Sequence, residues 1–234
     1  MLSLENVCVW YGKTQVLWDV SMTVQSGEMV ALMGPNGSGK STVFKAVTGL
    51  LPVRSGKITW NGRDITNLPT HAMTSIGISL VLERRRLFPR MTVRENVLLG
   101  AYSERDASVI KSRLDEVEDL FPLVKERADA VAGSLSGGQQ QMVAIARGLM
   151  SDPKMLIMDE PFLGLSPIMV KQITAVMVAV NKRGKSVLFN EQNARVSFGN
   201  SDRGYLLQSG QVVLSGSGLA MLDHEEVKSV YLGH

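Results

Sequence analysis

The chain holds 234 residues, 44% of them hydrophobic and 20% charged, with a formal net charge of +3. That is globular composition with enough apolar mass for a buried core, as one large domain or two small ones. So mild a positive balance gives no argument for a nucleic-acid surface. The single cysteine, Cys8, cannot form an internal disulfide. It fits a reducing compartment and is expected as a small buried side chain in a strand. Residues 1–6 show neither a basic nor an apolar leader segment. No run reaches the ~18 apolar residues that span a bilayer, so any service to a membrane is expected from the water side.

In chain order, residues 1–33 read as strands. Residues 17–24 alternate, Ser26-Gly27 marks a turn, and 29–33 is a short apolar run. A glycine-rich loop follows at 34–39, then a helical stretch from Lys40 to about Leu50. Residues 57–60 form a strand that enters a tight turn at Asn61-Gly62. Residues 78–82 read as another short apolar strand. The pattern then changes. Ile110, Leu114, Val117 and Phe121 make one stripe of an amphipathic helix. Residues 139–150 make a second helix, with Met142, Val143, Ala146 and Leu149 inward. Residues 92–152 are thus expected as a mostly helical insert. After it come a buried strand at 155–158 and a helix from Pro167 to about Arg183 that Gly184 ends. A strand at 186–189 and a hairpin over 204–215 across Gly210 complete the order. Alternating strands and helices argue for an α/β protein with a mainly parallel sheet.

Three motifs bear chemistry. Gly34-Pro35-Asn36-Gly37-Ser38-Gly39-Lys40-Ser41 matches the phosphate-loop pattern in full. Glycines let the backbone turn its N–H groups inward, and the following helix adds its positive end. In such a loop Lys40 can reach the β- and γ-phosphates and the Ser41 hydroxyl can ligate Mg²⁺. Leu156-Ile157-Met158-Asp159-Glu160 is an apolar strand ending in two carboxylates, at the strand end where α/β sheets bind ligands. There Asp159 would hold Mg²⁺ through water and Glu160 would polarise the attacking water. In Leu135-Ser136-Gly137-Gly138-Gln139-Gln140-Gln141, Ser136 can cap a helix that begins near Gly138. The glycines expose backbone donors at that positive end, a second phosphate site. Two such sites far apart in one chain suggest ATP shared between two chains.

These three motifs, in this order, resemble the nucleotide-binding subunit of ABC transporters across essentially the whole chain. The stretches around Leu82 to Tyr102, Asp159 to Pro167 and Phe189 to Ala194 are similar to the branched-chain amino acid importer group, as is the C-terminal SVYLGH. The resemblance implies a phosphate-loop NTPase core with an N-terminal antiparallel β subdomain and a helical insert. It implies a single ATPase domain over 1–234, with residues 92–152 as the helical part. Its cofactors would be ATP and Mg²⁺. Its partners would be permease subunits, a second cassette in a head-to-tail dimer and, indirectly, a solute-binding protein, with no nucleic acid. Its location would be the cytoplasmic face of the inner (plasma) membrane. The solute is left open among branched-chain amino acids, urea, amides and lipopolysaccharide. A soluble non-transport ATPase of the family is a further reading, but this chain shows neither the long coiled coil nor the two cassettes that such proteins usually carry.

Residue by residue, the resemblance places Tyr11 on adenine, the alternative being a half-buried strand tyrosine, and Val16 beside the base. Trp10 is expected to pack in the sheet. Thr42 joins the loop as a nucleotide contact, and Ser136, Gly137, Gly138 and Gln139 contact the partner's ATP. Glu83 stands where the family commonly offers glutamine to Mg²⁺. The importer group has Pro-Glu-Gly-Arg there; this chain has Leu82-Glu83-Arg84-Arg85, which reduces the loop's backbone freedom. Arg84, Arg85 and Arg86 read either as a solvated run or as part of a partner surface. Leu87, Phe88, Pro89 and Met91 read either as a groove for a partner helix or as core. Gln192 replaces the family's switch histidine; its amide can donate to the γ-phosphate but cannot shuttle a proton. Phe162 and Ser166 depart from the usual residues of a loop that contacts the opposing subunit. Asn190 is polar where a strand residue is usually apolar, and the sequence gives no reason for it. His71, His224 and His234 share no metal spacing and read as surface residues; the methionines, Met155 and Met158 among them, read as core filling.

Overall fold

The computed structural model describes residues 1–228. The SVYLGH segment and His234 lie outside the described residues.

Among the described residues, ten strands and ten α-helices follow one another in the order β1 (Leu2–Tyr11), β2 (Thr14–Val24), β3 (Met29–Met33), α1 (Lys40–Val47), β4 (Val53–Trp60), β5 (Arg63–Asp64), α2 (Thr70–Met73), β6 (Ile78–Val81), α3 (Val93–Leu98), α4 (Ala107–Leu120), α5 (Pro122–Glu126), α6 (Gly137–Leu149), β7 (Met155–Met158), α7 (Pro167–Lys182), β8 (Ser186–Glu191), α8 (Ala194–Phe198), β9 (Arg203–Gln208), β10 (Gln211–Ser217), α9 (Gly218–Asp223) and α10 (Glu225–Val227). One sheet, β2-β1-β4-β5, is antiparallel throughout. The other runs β10-β9-β3-β8-β7-β6 and is parallel except for the β9–β10 hairpin. This is the expected α/β class, with an N-terminal antiparallel β layer on a phosphate-loop core.

Side-chain alternation along the parallel strands explains the layers. Val30, Leu32, Met155, Ile157 and Leu188 face α1 and the antiparallel sheet. Ala31, Met33, Leu156, Met158, Val187 and Phe189 face the helical side. Strands buried on both faces read as unbroken apolar runs, which is why 29–33 and 155–158 lacked alternation. Tyr205 ties the two sheets, its hydroxyl accepting from Thr23 N at 3.1 Å.

Local differences from the sequence reading have local causes. Helix α1 stops at Val47, three residues short of Leu50. Thr48 turns its hydroxyl onto Phe44 O at 2.7 Å, and Gly49 enters the left-handed region at φ 68°. Strand β8 extends past Phe189 to include Asn190 and Glu191. Met142 is half-buried, because α6 buries Ala144 and Ile145 as well and so turns more than one face inward. Cys8 is buried in β1, with its Sγ 3.2 Å from Asp19 Oδ1. His71 and His224 are exposed. Between residues 92 and 152 the regular elements are all helices, joined by turns, apart from one isolated bridge between Thr92 and Val131. Among the described residues no helix is long and apolar enough to cross a membrane.

Candidate active site

Strand β3 delivers the phosphate loop at its C-terminal end. A Cβ on Gly34 would lie 2.1 Å from Leu207 O and 2.6 Å from Ser38 Oγ, so only glycine fits there. Gly39, at φ 107°, is the N-cap of α1 and supplies no capping side chain. The first-turn amides of α1 therefore keep their donors for something else. Ser38 Oγ is buried without a hydrogen-bond partner, a second polar group left for a ligand. Pro35, Asn36 and Gly37 form the exposed rim, and Thr42 is buried beneath. This cradle of free amides and an orphan hydroxyl fits a polyphosphate.

Lys40 is 4% exposed and donates to Gly34 O at 2.8 Å and Pro35 O at 3.0 Å. Burial lowers its pKa, while the charges of Glu160, Asp159 and Glu191 oppose that shift. Ser41 Oγ donates to Asp159 Oδ1 at 2.8 Å and so joins the loop to the end of β7. Parallel pairing of β7 with β8, up to Met158 opposite Phe189, brings the last residues of β8 alongside. Asn190 Nδ2 donates to Asp159 Oδ1 at 2.6 Å, and its Oδ1 accepts from Glu160 N at 2.5 Å. Gln192 Nε2 donates to Glu160 Oε1 at 3.2 Å. Glu160 itself has φ 47°, a left-handed conformation that costs a non-glycine residue about 1–2 kcal/mol.

The sequence reading named Glu191 only within a stretch and gave it no role. Its Oε1 accepts from Phe162 N at 2.9 Å and its Oε2 from Gln192 N at 3.2 Å. It anchors the loop after Glu160, where Phe162 is buried edge-to-face on Phe189. Burial pushes the Glu191 carboxyl above the usual carboxylate range, against the pull of those two amides. The signal was present in the sequence: an acid at a strand's C-terminal end, as at Asp159.

Other expected residues fall around this centre. Tyr11 is exposed at the end of β1, with Lys45 Nζ 6.0 Å from its ring centroid. Trp10 is half-buried and stacks with Arg54 at 5.3 Å. Val16 is half-buried, and its carbonyl borders both Gly39 and Gly210. Ser136 caps α6 in a full capping box with Gln139: Gln139 N donates to Ser136 Oγ at 3.4 Å and Ser136 N to Gln139 Oε1 at 3.0 Å. No hydrogen bond among the described residues links this motif to the phosphate loop; its neighbours are Arg85 beside Gly137 and Met169 beside Gly138. Glu83 follows β6, and its carboxylate turns to Arg84 Nε at 3.2 Å rather than to Ser41 or Asp159. Arg84, Arg85 and Arg86 occupy left-handed φ of 62°, 65° and 48°, strain that a glycine at the first of them would ease. Phe88 is exposed and Leu87 half-buried. Ser166 caps α7 through Met169 N, and Leu163 in the same loop is exposed.

Comparison with known proteins agrees with this geometry. A family profile described as ABC transporter matches residues 17–163. The high-affinity branched-chain amino acid transport ATP-binding protein BraG of Pseudomonas aeruginosa is 42% identical, with 100% of both chains covered. The lipopolysaccharide export system ATP-binding protein LptB of Haemophilus influenzae is 37% identical over 100% of this chain and 97% of its own. Among solved structures, the ADP conformation of MJ1267, an ATP-binding cassette of an ABC transporter, superposes with a TM-score of 0.90 at 28% identity, covering 100% and 99% of the two chains. The dimeric cassette MJ0796 gives 0.83 at 29% identity, covering 93% and 98%. A phosphate loop after β3, a carboxylate pair at the end of β7 and a full-length likeness to such cassettes together establish that this chain belongs to the ABC transporter family, as a nucleotide-binding, ATP-hydrolysing cassette.

Proposed function

We propose that the chain hydrolyses MgATP at the edge formed by β3, β7 and β8, and that it energises import of branched-chain amino acids. The observation that carries the reading is the convergence there of Lys40, Ser41, Asp159, Glu160 and Gln192, linked by the bonds from Ser41 to Asp159 and from Gln192 to Glu160. The phosphate-loop amides and Lys40 bind the phosphates; Tyr11 and Val16 flank the base. Ser41 and Asp159, with Glu83 as a further ligand, would hold Mg²⁺, which when bound neutralises charge on the β- and γ-phosphate oxygens. Among the described residues no three His, Cys, Asp or Glu group into a protein-only metal cage. That suits an ion that draws most of its ligands from phosphate and water. Glu160 orients the attacking water and accepts its proton, so that ATP and water give ADP and phosphate. Gln192 steadies the Glu160 carboxylate and offers its amide to the γ-phosphate.

The chain acts as a single ATPase domain over residues 1–234, with residues 92–152 as its helical subdomain. A second cassette, identical or homologous, packs head to tail and lays its Ser136, Gly137, Gly138 and Gln139 over the γ-phosphate. A capped helix end unlinked to its own phosphate loop supports this, as does the likeness to a dimeric cassette. Closure of the pair pushes on permease subunits at the cytoplasmic face of the membrane, which a solute-binding protein supplies. Identity favours BraG over LptB, 42% against 37%. The test is to purify the chain with its co-purifying membrane and solute-binding proteins, reconstitute the complex, and measure ATP hydrolysis. Stimulation by leucine, isoleucine or valine is expected; a response to lipopolysaccharide alone would transfer the chain to the second reading.

A further inference from the structure

Asn190 is the first polar side chain after the apolar run Val187, Leu188 and Phe189, and it is 0% exposed. A buried amide is tolerated only when its donors and acceptor are used. Here they are used on the two residues that follow β7, Asp159 and Glu160. The carboxamide orientation is chemically fixed: the Glu160 N–H must face Oδ1, so Nδ2 must face the Asp159 carboxylate.

The reason lies in the register. Strands β7 and β8 pair up to Met158 opposite Phe189, and there the paired register ends. Strand β8 continues beside β3, with Leu32 opposite Asn190 and Met33 opposite Glu191. Asn190 thus stays in the sheet on one side and bridges the gap on the other with its side chain. Two consequences follow. The left-handed backbone of Glu160 is held through its N–H, and its carboxylate is met from the far side by Gln192. Asp159 Oδ1 takes two donors, from Ser41 and Asn190, while Oδ2 takes none from the described residues.

We propose that Asn190 is a positioning residue for ATP hydrolysis: it selects which Asp159 oxygen is left to serve the metal and holds Glu160 in the conformation that presents its carboxylate to water. This rests on the proposed MgATP reading. A partner behind a metal-holding carboxylate typically matters about tenfold to a hundredfold in metal affinity or activity.

The experiment uses the full chain with three readouts: ATP affinity measured without turnover, kcat, and the Mg²⁺ concentration for half-maximal rate. Asn190→Val should keep ATP affinity within about twofold while kcat falls about tenfold to a hundredfold and the Mg²⁺ midpoint rises. Asn190→Asp keeps the shape and the acceptor for Glu160 N–H but sets a carboxylate against Asp159 in place of a donor; like-charge repulsion should lower its melting temperature, while ATP affinity stays and turnover falls. In a Glu160→Gln background, Asn190→Val should cost little further turnover, because the two act on one step. Wild-type kcat and Mg²⁺ midpoint in Asn190→Val, or in Asn190→Asp should the valine variant not fold, would overturn the proposal. So would a parallel loss of ATP affinity and melting temperature, the mark of a purely structural role. If Glu160→Gln itself keeps turnover, the MgATP reading fails instead, so the two failures are distinguishable.

Discussion

Strands β3 and β8 lie side by side and parallel, with Met33 opposite Glu191, yet the residues that follow them present chemistry in different ways. After Met33 the main chain does the work. Gly34 sits against Leu207 O and Gly39 leaves α1 uncapped, so that the amides of its first turn are left to serve the proposed phosphate site. At the end of β8 the side chains do it. Asn190, Glu191 and Gln192 reach in turn to Asp159 and the Glu160 amide, to the Phe162 amide, and to the Glu160 carboxylate. A main-chain cradle is sensitive to shape, and a side-chain cradle to the identity of single functional groups. Substitutions at the first should disturb binding; those at the second should disturb turnover.

The largest effect should come from the carboxylate that the β8 side chains hold. Glu160→Gln removes the proposed general base, a kind of group whose contribution is typically about 10²–10⁴-fold. Turnover should fall by that order while MgATP affinity stays, and a nucleotide-bound dimer should accumulate, read by size-exclusion chromatography. Near-normal turnover would remove Glu160 from its role and collapse the contrast between the two strand ends.

Gly34→Ala tests the other side. Its Cβ would meet backbone at 2.1 Å, which a side-chain rotation cannot relieve. Overpacking of this kind costs about 1–3 kcal/mol. Melting temperature and ATP affinity should fall together, unlike at Glu160. An alanine variant that binds ATP normally would show that the loop has slack that this geometry denies.

A third effect, smaller than that of Glu160→Gln and confined to rate, is expected at Gln192. Losing a donor to a charged group costs about 1.5–3 kcal/mol, roughly tenfold to a hundredfold in rate if the bond matures only in the transition state. Gln192→Ala should show this in the steady-state ATPase rate. Gln192→His should keep part of the activity and add a pH limb near the ordinary histidine range, about 6.5. On the acid side of that limb the ring is protonated and donates as a cation; the wild type, with an amide there, should lack the limb. Full activity in Gln192→Ala would make the contact to Glu160 incidental.

How much was legible in advance follows the same division. The phosphate loop, the Ser136 cap and the Pro167 start of α7 each depend on residues a few positions apart, so spacing alone exposed them; the Gln139 half of the capping box came only with the structure. The end of α1 was read three residues too long because Gly49 was not weighed as a stop. Asn190 was visible as an anomaly but not explicable, because its partners lie 30 and 31 residues away. Glu191 was passed over because the strand was read as ending at Phe189, two residues short of this acid, and its partner at Phe162 is 29 residues away.

What the sequence determined by itself was the set of local devices: apolar strands of the right length, glycines where a backbone must turn, caps where helices begin, and two carboxylates at a strand end. These are fixed by φ/ψ preference and by hydrogen bonds closed within one turn of chain. What only the tertiary structure decided was which devices meet. The parallel register of β8 between β3 and β7 places an amide against a carboxylate and an acid against a loop amide. Register is a property of two strands brought together from distant parts of the chain by the burial of both faces of the sheet. No window of sequence around Asn190 contains the residues that give it a purpose.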